Sequence, residues 1–211
     1  MSGFNLGVFE VAGYSSGRRV FVLGMIAGCA GLALPAAAHA ASARAATPHP
    51  AVRYMQKTAS DLLHAQQRGT ISSFDKVLAR RADVHGIAMY SLGRYKSSLP
   101  RSRKGLYVRG VRKFMARYFA DQSRKYRIVK TYIDPQPRKD GNEYLVRSKV
   151  WLESGSTYNI VWRLGKRRNG WRVTDVKVLG FSLSYLQRGI FHKYLQKKNG
   201  DVNALVAALN R

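Results

Sequence analysis

Four stretches in the second half of the chain, Tyr126 to Asp134, Tyr144 to Trp151, Tyr158 to Leu164 and Trp171 to Val178, are rich in β-branched and aromatic residues. Gly, Pro, Asn and Ser separate them. Side chains of that kind fit a pleated, half-buried surface and the separators form turns, so the pattern predicts four antiparallel strands. In the third, Tyr158, Ile160, Trp162 and Leu164 alternate with Asn159 and Arg163, which makes one face of the sheet greasy and the other wet. A sheet of this sort must be covered on its greasy face, and helices of the first half supply the cover. The fold class is therefore α+β, with helices packed over one face of a four-stranded antiparallel sheet.

The helices are read from apolar spacing. Val52, Met55, Ala59, Leu62 and Leu63 recur at helical intervals from Ala51 to Arg68, and Gly69 closes the segment. A short helix carrying Phe74, Val77 and Leu78 is expected next, capped by Ser72-Ser73. Ala82 to Tyr95 is apolar on most sides and so predicts a buried segment. From Gly105 to Tyr126, Tyr107, Val111, Phe114 and Tyr118 form one stripe, with Arg109, Arg112, Lys113 and Arg117 on the other side. Two closing helical segments hold Phe191, Tyr194 and Leu195, then Val202, Leu205, Val206 and Leu209.

The last predicted strand breaks its own pattern at Asp175 and Lys177 before Gly180-Phe181-Ser182-Leu183. A bulge there would let Val176 and Val178 turn inward. Gly180 can take positive φ and suits a sharp exit, and Ser182 can cap the helix that follows. Asp175 reads as a structural partner for Arg172 or Arg188. Arg188 has two readings, a pair with Asp175 or a clamp on a phosphate headgroup.

Residues 18 to 40 join Arg18-Arg19 to an apolar run ending in Ala38-His39-Ala40, the pattern of a cleaved secretory signal, with features of a twin-arginine signal. The uncharged run from Val20 to Leu34 is shorter than a bilayer-spanning helix requires. The expected organisation is a signal peptide over 1–40, a disordered leader over 41–50 and one domain over 51–211. Cys29, the single cysteine, would leave with the signal, so no disulfide is expected in the remainder. Removing residues 1 to 40 takes away Arg18, Arg19 and Glu10, which lowers the formal charge from +26 to +25.

A charge of that size ordinarily points to nucleic acid. Export redirects it to anionic membrane surfaces, where each Lys or Arg contributes about 1 kcal/mol of attraction, and no nucleic-acid partner is expected. Catalytic motifs are missing. His49, His64, His85 and His192 lie on separate predicted elements, and no H-E-x-x-H, G-x-S-x-G or Gly-rich phosphate loop occurs, so neither metal nor cofactor is expected. An isomerase-like enzyme would need a pocket carboxylate. Asp134, Asp140, Glu143 and Glu153 fall mostly at predicted turns.

Taken in order, Val84-His85-Gly86-Ile87-Ala88, Leu92-Gly93-Arg94-Tyr95, the Tyr107/Phe114/Tyr118 helix, the Tyr158 to Leu164 strand, Trp171 to Val176, Gly180-Phe181-Ser182-Leu183, Arg188 and Phe191 resemble MlaC, the toluene-tolerance family of periplasmic lipid carriers. The resemblance departs at Leu179, where the family commonly has Glu, and in the high charge. It implies a soluble, monomeric periplasmic shuttle with a curved sheet and an internal apolar cavity. The cargo would be a phospholipid, or a hopanoid-type lipid as in one branch of the family. The implied partners are an inner-membrane ABC-type lipid transport complex and an outer-membrane lipoprotein.

Alternation, the helix stripe and the resemblance together nominate Val84, Ile87, Tyr107, Val111, Phe114, Tyr118, Val146, Val150, Tyr158, Ile160, Trp162, Val178, Leu183 and Phe191 as cavity lining. The alternative is a filled core on a cationic envelope-binding module. Arg109, Lys113 and Arg117 are the candidates for docking to anionic membranes or acidic partners, with Arg188 at the headgroup.

Overall fold

A computed structural model describes residues 47–211, so the expected signal peptide, Cys29 and the leader up to residue 46 lie outside the described residues. The first helix, α1 (Pro50–Arg68), starts with a proline, which suits an N-terminal turn because its missing N–H would have no helical partner there. His49 anchors this start, since its Nδ1 accepts from the Ala51 N–H at 3.1 Å and its ring packs 4.6 Å from that of Tyr144. Gly69 ends α1 in the left-handed conformation.

Helices α2 (Ile71–Arg81), α3 (Val84–Leu92) and α4 (Lys104–Lys125) follow, with two short 3₁₀ turns between α3 and α4. The cap of α2 is Thr70, two residues before the expected Ser72-Ser73. Ser73 instead donates to Ala65 O at 3.1 Å and Thr70 O at 2.7 Å, tying α2 to α1.

The sheet contains more strands than the predicted four. Strands β1 (Ile128–Ile133), β3 (Glu143–Leu152), β4 (Thr157–Arg167) and β5 (Gly170–Val178) match the four stretches, and β2 (Arg138–Asp140) and β6 (Phe181–Ser182) are added. The order is β1-β3-β4-β5-β6, and β2 also pairs with β3. All pairings are antiparallel. β1 and β2 share one edge of β3 end to end, broken where Pro135 and Pro137 cannot donate to a ladder.

The interruption in β5 is a bulge. Arg163 pairs with Asp175 but Leu164 pairs with Val173, leaving Thr174 as the extra residue, its hydroxyl donating to Arg163 O at 3.3 Å. The one-residue shift puts Val173, Val176 and Val178 on one face. Beyond it, Leu179 (φ 52°) and Gly180 (φ 85°) form a two-residue hairpin that pairs Val178 with Phe181. Positive φ at both central residues matches the twist of the flanking strands, and only the leucine is strained by it. Ser182 then caps α5 (Leu183–Lys197) by accepting from the Tyr185 N–H, and Asp175 adds a second cap by accepting from Ser184 N–H at 3.1 Å. The chain ends in α6 (Val202–Asn210).

Three apolar clusters hold these layers together. Val52 and Met55 of α1 pack on Val146, Leu164 and Val173 of the sheet. Ala65, Phe74, Val77, Leu78, Ala116 and Ala120 join α1, α2 and α4. The largest is purely helical, uniting Ala88, Leu92, Tyr107, Val111, Phe191, Leu195 and the apolar face of α6. Gly110 permits that last contact, because a Cβ there would stand 2.8 Å from the Leu209 Cβ.

Candidate functional site

The β3 residues alternate: Val146, Ser148, Val150 and Leu152 are buried, and Arg147 and Lys149 are exposed. Register carries the inward set across the sheet, because Ser148 lies opposite Ile160, and Ile160 in turn opposite Val178. Trp162 pairs with Val176 just beyond the bulge. Above this patch the helices do not close fully, leaving an apolar cavity of about 180 Å³.

Its floor is Ser148, Val150, Ile160, Trp162, Val176 and Val178, with Ile128, Thr131 and Ile133 of β1 at one side. Met55, Ala59, Leu62, Leu63 and Gln66 of α1 form the roof, completed by Phe74, Phe119, Gln122, Ser123, Tyr126 and Leu183. No Asp, Glu, His, Lys or Arg is among the lining residues.

Several of the polar groups are bonded within the wall. Trp162 Nε1 donates to Ser148 Oγ at 2.9 Å, and Ser123 Oγ donates to Ala120 O at 2.8 Å. Gln66 clasps the start of β1, with Nε2 donating to Ile128 O at 2.9 Å and Oε1 accepting from Ile128 N–H at 3.1 Å. Among the described residues no buried side-chain nitrogen or oxygen lacks a hydrogen-bond partner. Such a cavity offers little to a charged ligand and a good deal to a hydrocarbon.

Next to it lies an open, more polar groove of about 580 Å³ between α1 and β1, lined by Gln56, Ser60, His64, Gln67 and Tyr132. The two share Ala59, Leu63, Thr131 and Ile133, so the same wall borders both.

Of the residues nominated from sequence, Val150, Ile160, Trp162, Val178 and Leu183 meet at this cavity. The others lie elsewhere. Tyr107, Val111 and Phe191 belong to the helical cluster, with Phe114 packed against it 5.3 Å from the Phe191 ring. Val146 packs under α1. Val84 and Ile87 are buried on α3, and Tyr158 faces the Tyr126 ring at 6.5 Å. Tyr118 stacks edge-on to Phe119, and burial pushes its hydroxyl pKa up to about 12, with Tyr126 adding to the effect. Burial likewise raises that of Tyr107, whose hydroxyl donates to Ala88 O at 2.9 Å.

Two physical causes explain the split. At 22 residues α4 is about 33 Å long, so its first half reaches the helical cluster and only its second half lies over the sheet. There the lining face is Phe119, Gln122, Ser123 and Tyr126, one residue round from the predicted stripe and masked by two polar side chains. The α1 residues Met55, Ala59, Leu62 and Leu63 carried a visible apolar period, but nothing in it marked a cavity wall.

The cationic candidates also divide. Arg109 and Lys113 are exposed, whereas Arg117 is half-buried and donates to Leu209 O at 2.9 Å, closing the last turn of α6. Arg188 does not pair with Asp175. It lies 5.3 Å over the Tyr90 ring, while the Asp175 carboxylate accepts from the N-terminus of α5.

A family model described as MlaC protein matches residues 51–211. No curated protein matches the chain. Among solved structures, the phospholipid-binding protein from Ralstonia solanacearum, determined in complex with a phospholipid at 1.53 Å, is similar at 21% identity and a TM-score of 0.61. The similarity covers 76% of this chain and 94% of that one.

Proposed function

This chain belongs to the MlaC family, and from that premise we propose that it is a periplasmic lipid carrier that holds acyl chain in the cavity between the sheet and α1/α4. The observation that carries the reading is the cavity's composition, with no ionisable acid or base apart from the Tyr126 phenol among its walls. An isomerase-like enzyme on this fold would need a carboxylate inside the cavity, so the lining favours binding over chemistry. The phospholipid held by the Ralstonia protein, which shares the fold, supports the same cargo class.

Energetics make a cavity necessary for this task. Each methylene exposed to water costs about 0.8 kcal/mol, so a chain of about 16 carbons carried bare would cost more than about 10 kcal/mol. Since bilayer and cavity are both apolar, transfer between them is close to neutral, and direction comes from partners. The empty volume of about 180 Å³ falls below the ~300–1,000 Å³ usual for ligand sites, so loading has to move the helical roof away from the sheet. The groove between α1 and β1 then takes the headgroup.

The cargo is a phospholipid or a hopanoid-type lipid, exchanged with an inner-membrane ABC-type complex and an outer-membrane lipoprotein. A cleaved signal over residues 1–40 delivers the chain, which acts as a monomer without cofactor. Incubation with vesicles of radiolabelled phospholipid tests this. After the vesicles are pelleted, label is expected in the supernatant at close to one lipid per protein, and label confined to the pellet would count against a carrier.

A further inference from the structure

A second concavity, of about 470 Å³, lies between the α2–α3 junction, α4 and the turn joining β4 to β5. It shares no lining residue with the apolar cavity. Arg109 and Arg112 of α4 face it, together with Arg167, Arg168 and Arg172 of the β4–β5 hairpin, and Asp83 is the one acid in its lining.

That acid is already committed. The Asp83 carboxylate accepts from Gly86 N–H at 2.9 Å and from Arg167 Nε at 2.8 Å. Burial opposes its charge, but those two bonds outweigh it and hold the carboxyl below its usual range. Even with that carboxylate charged, the lining sets five guanidiniums against one acid, an excess of positive charge that a concave wall concentrates.

Neighbouring groups fix several of the guanidiniums in place. Arg112 Nε donates to Asp75 Oδ1 at 2.7 Å, Arg167 also reaches Glu143 Oε1 at 3.3 Å, and Arg172 donates to Asn169 O and Trp171 O at 3.1 and 2.8 Å. Each bond uses only part of a five-donor fork. Arg109 and Arg168 have no ion-pair or hydrogen-bond partner among the described residues. The lining contains arginine but no lysine. A planar fork matches phosphate oxygens two at a time, whereas an ammonium acts as a point charge.

We propose that this cleft binds a phosphate group, presented by a dissolved anion or by the headgroup of a membrane lipid, at a site separate from the cargo cavity. The proposal does not depend on which lipid the cavity carries.

Two probes distinguish the sources. Calorimetric titration with inorganic pyrophosphate at fixed ionic strength reads the dissolved anion, and flotation with phosphatidylcholine vesicles, with and without phosphatidic acid, reads the headgroup. The wild type is compared with Arg109→Gln/Arg168→Gln, which removes two unpartnered arginines, and with Lys193→Gln/Lys197→Gln, which removes equal charge from the exposed side of α5. Saturable binding is expected in at least one arm, weakened about tenfold or more by the arginine pair and less than about twofold by the lysine pair. Unchanged melting temperatures would show that both variants fold. Absence of saturable binding in both arms, or equal losses in the two variants, would overturn the site and leave only a general attraction of net charge.

Discussion

Val150 and Ile160 approach the cavity from neighbouring strands, 5% and 9% exposed, and neither touches the helical cluster that anchors α5 and α6. In a filled core, added bulk at either position would force strain of about 1–3 kcal/mol. In a lipid carrier the ring of Val150→Trp or Ile160→Trp would instead occupy the space that hydrocarbon fills. Both variants, stripped of lipid, are expected to melt within a few degrees of stripped wild type while retaining far less lipid after expression in cells. Severe destabilisation of both would show a packed interior. Leu179 illustrates the opposite limit of residue-level reading. Its side chain is 43% exposed at a strained positive φ, and nothing in the structure explains why leucine stands there.

The division of labour among elements was only partly legible in the chain. Strands β1, β3, β4 and β5 were visible because burial on one face imposes a period of two on the residue types, and the bulge at Thr174 showed as a break in that period. β2 was not, since Arg138-Lys139-Asp140 has no β-branched or aromatic residue, and β6 is two residues long. The cavity wall on α4 stayed hidden because amphipathic spacing reports that a face is buried, not which partner buries it. The same limit placed Phe191 at the cavity, when it lies in the helical cluster of α3, α4, α5 and α6. Phe191→Ala is therefore expected to cost about 3–5 kcal/mol in urea unfolding, yet leave the lipid bound per folded molecule unchanged. Lipid loss without loss of stability would move Phe191 back to the cavity.

At the scale of the whole molecule, apolar and charged groups are sorted into separate places. Several of the few acids are engaged in ion pairs: Asp61 with Arg81, Asp75 with Arg112, Asp134 with Arg147, and Asp140 and Glu143 with Arg163. Among the described residues no lysine or arginine is buried, so the excess positive charge sits at the surface and in the arginine cleft, while the cavity is lined by no charged side chain. Among the described residues no helix is long and apolar enough to cross a membrane. In the proposed function the exterior attracts anionic surfaces and the interior hydrocarbon, and the two attractions are separable by salt, which screens only the first. A carrier of this kind must hold lipid in its interior. Native mass spectrometry of the freshly purified protein at high ionic strength tests it directly. The expected result is an adduct of one lipid mass that disappears on denaturation and is recovered in the organic extract, whereas bare protein together with a lipid-free extract would rule out a lipid carrier.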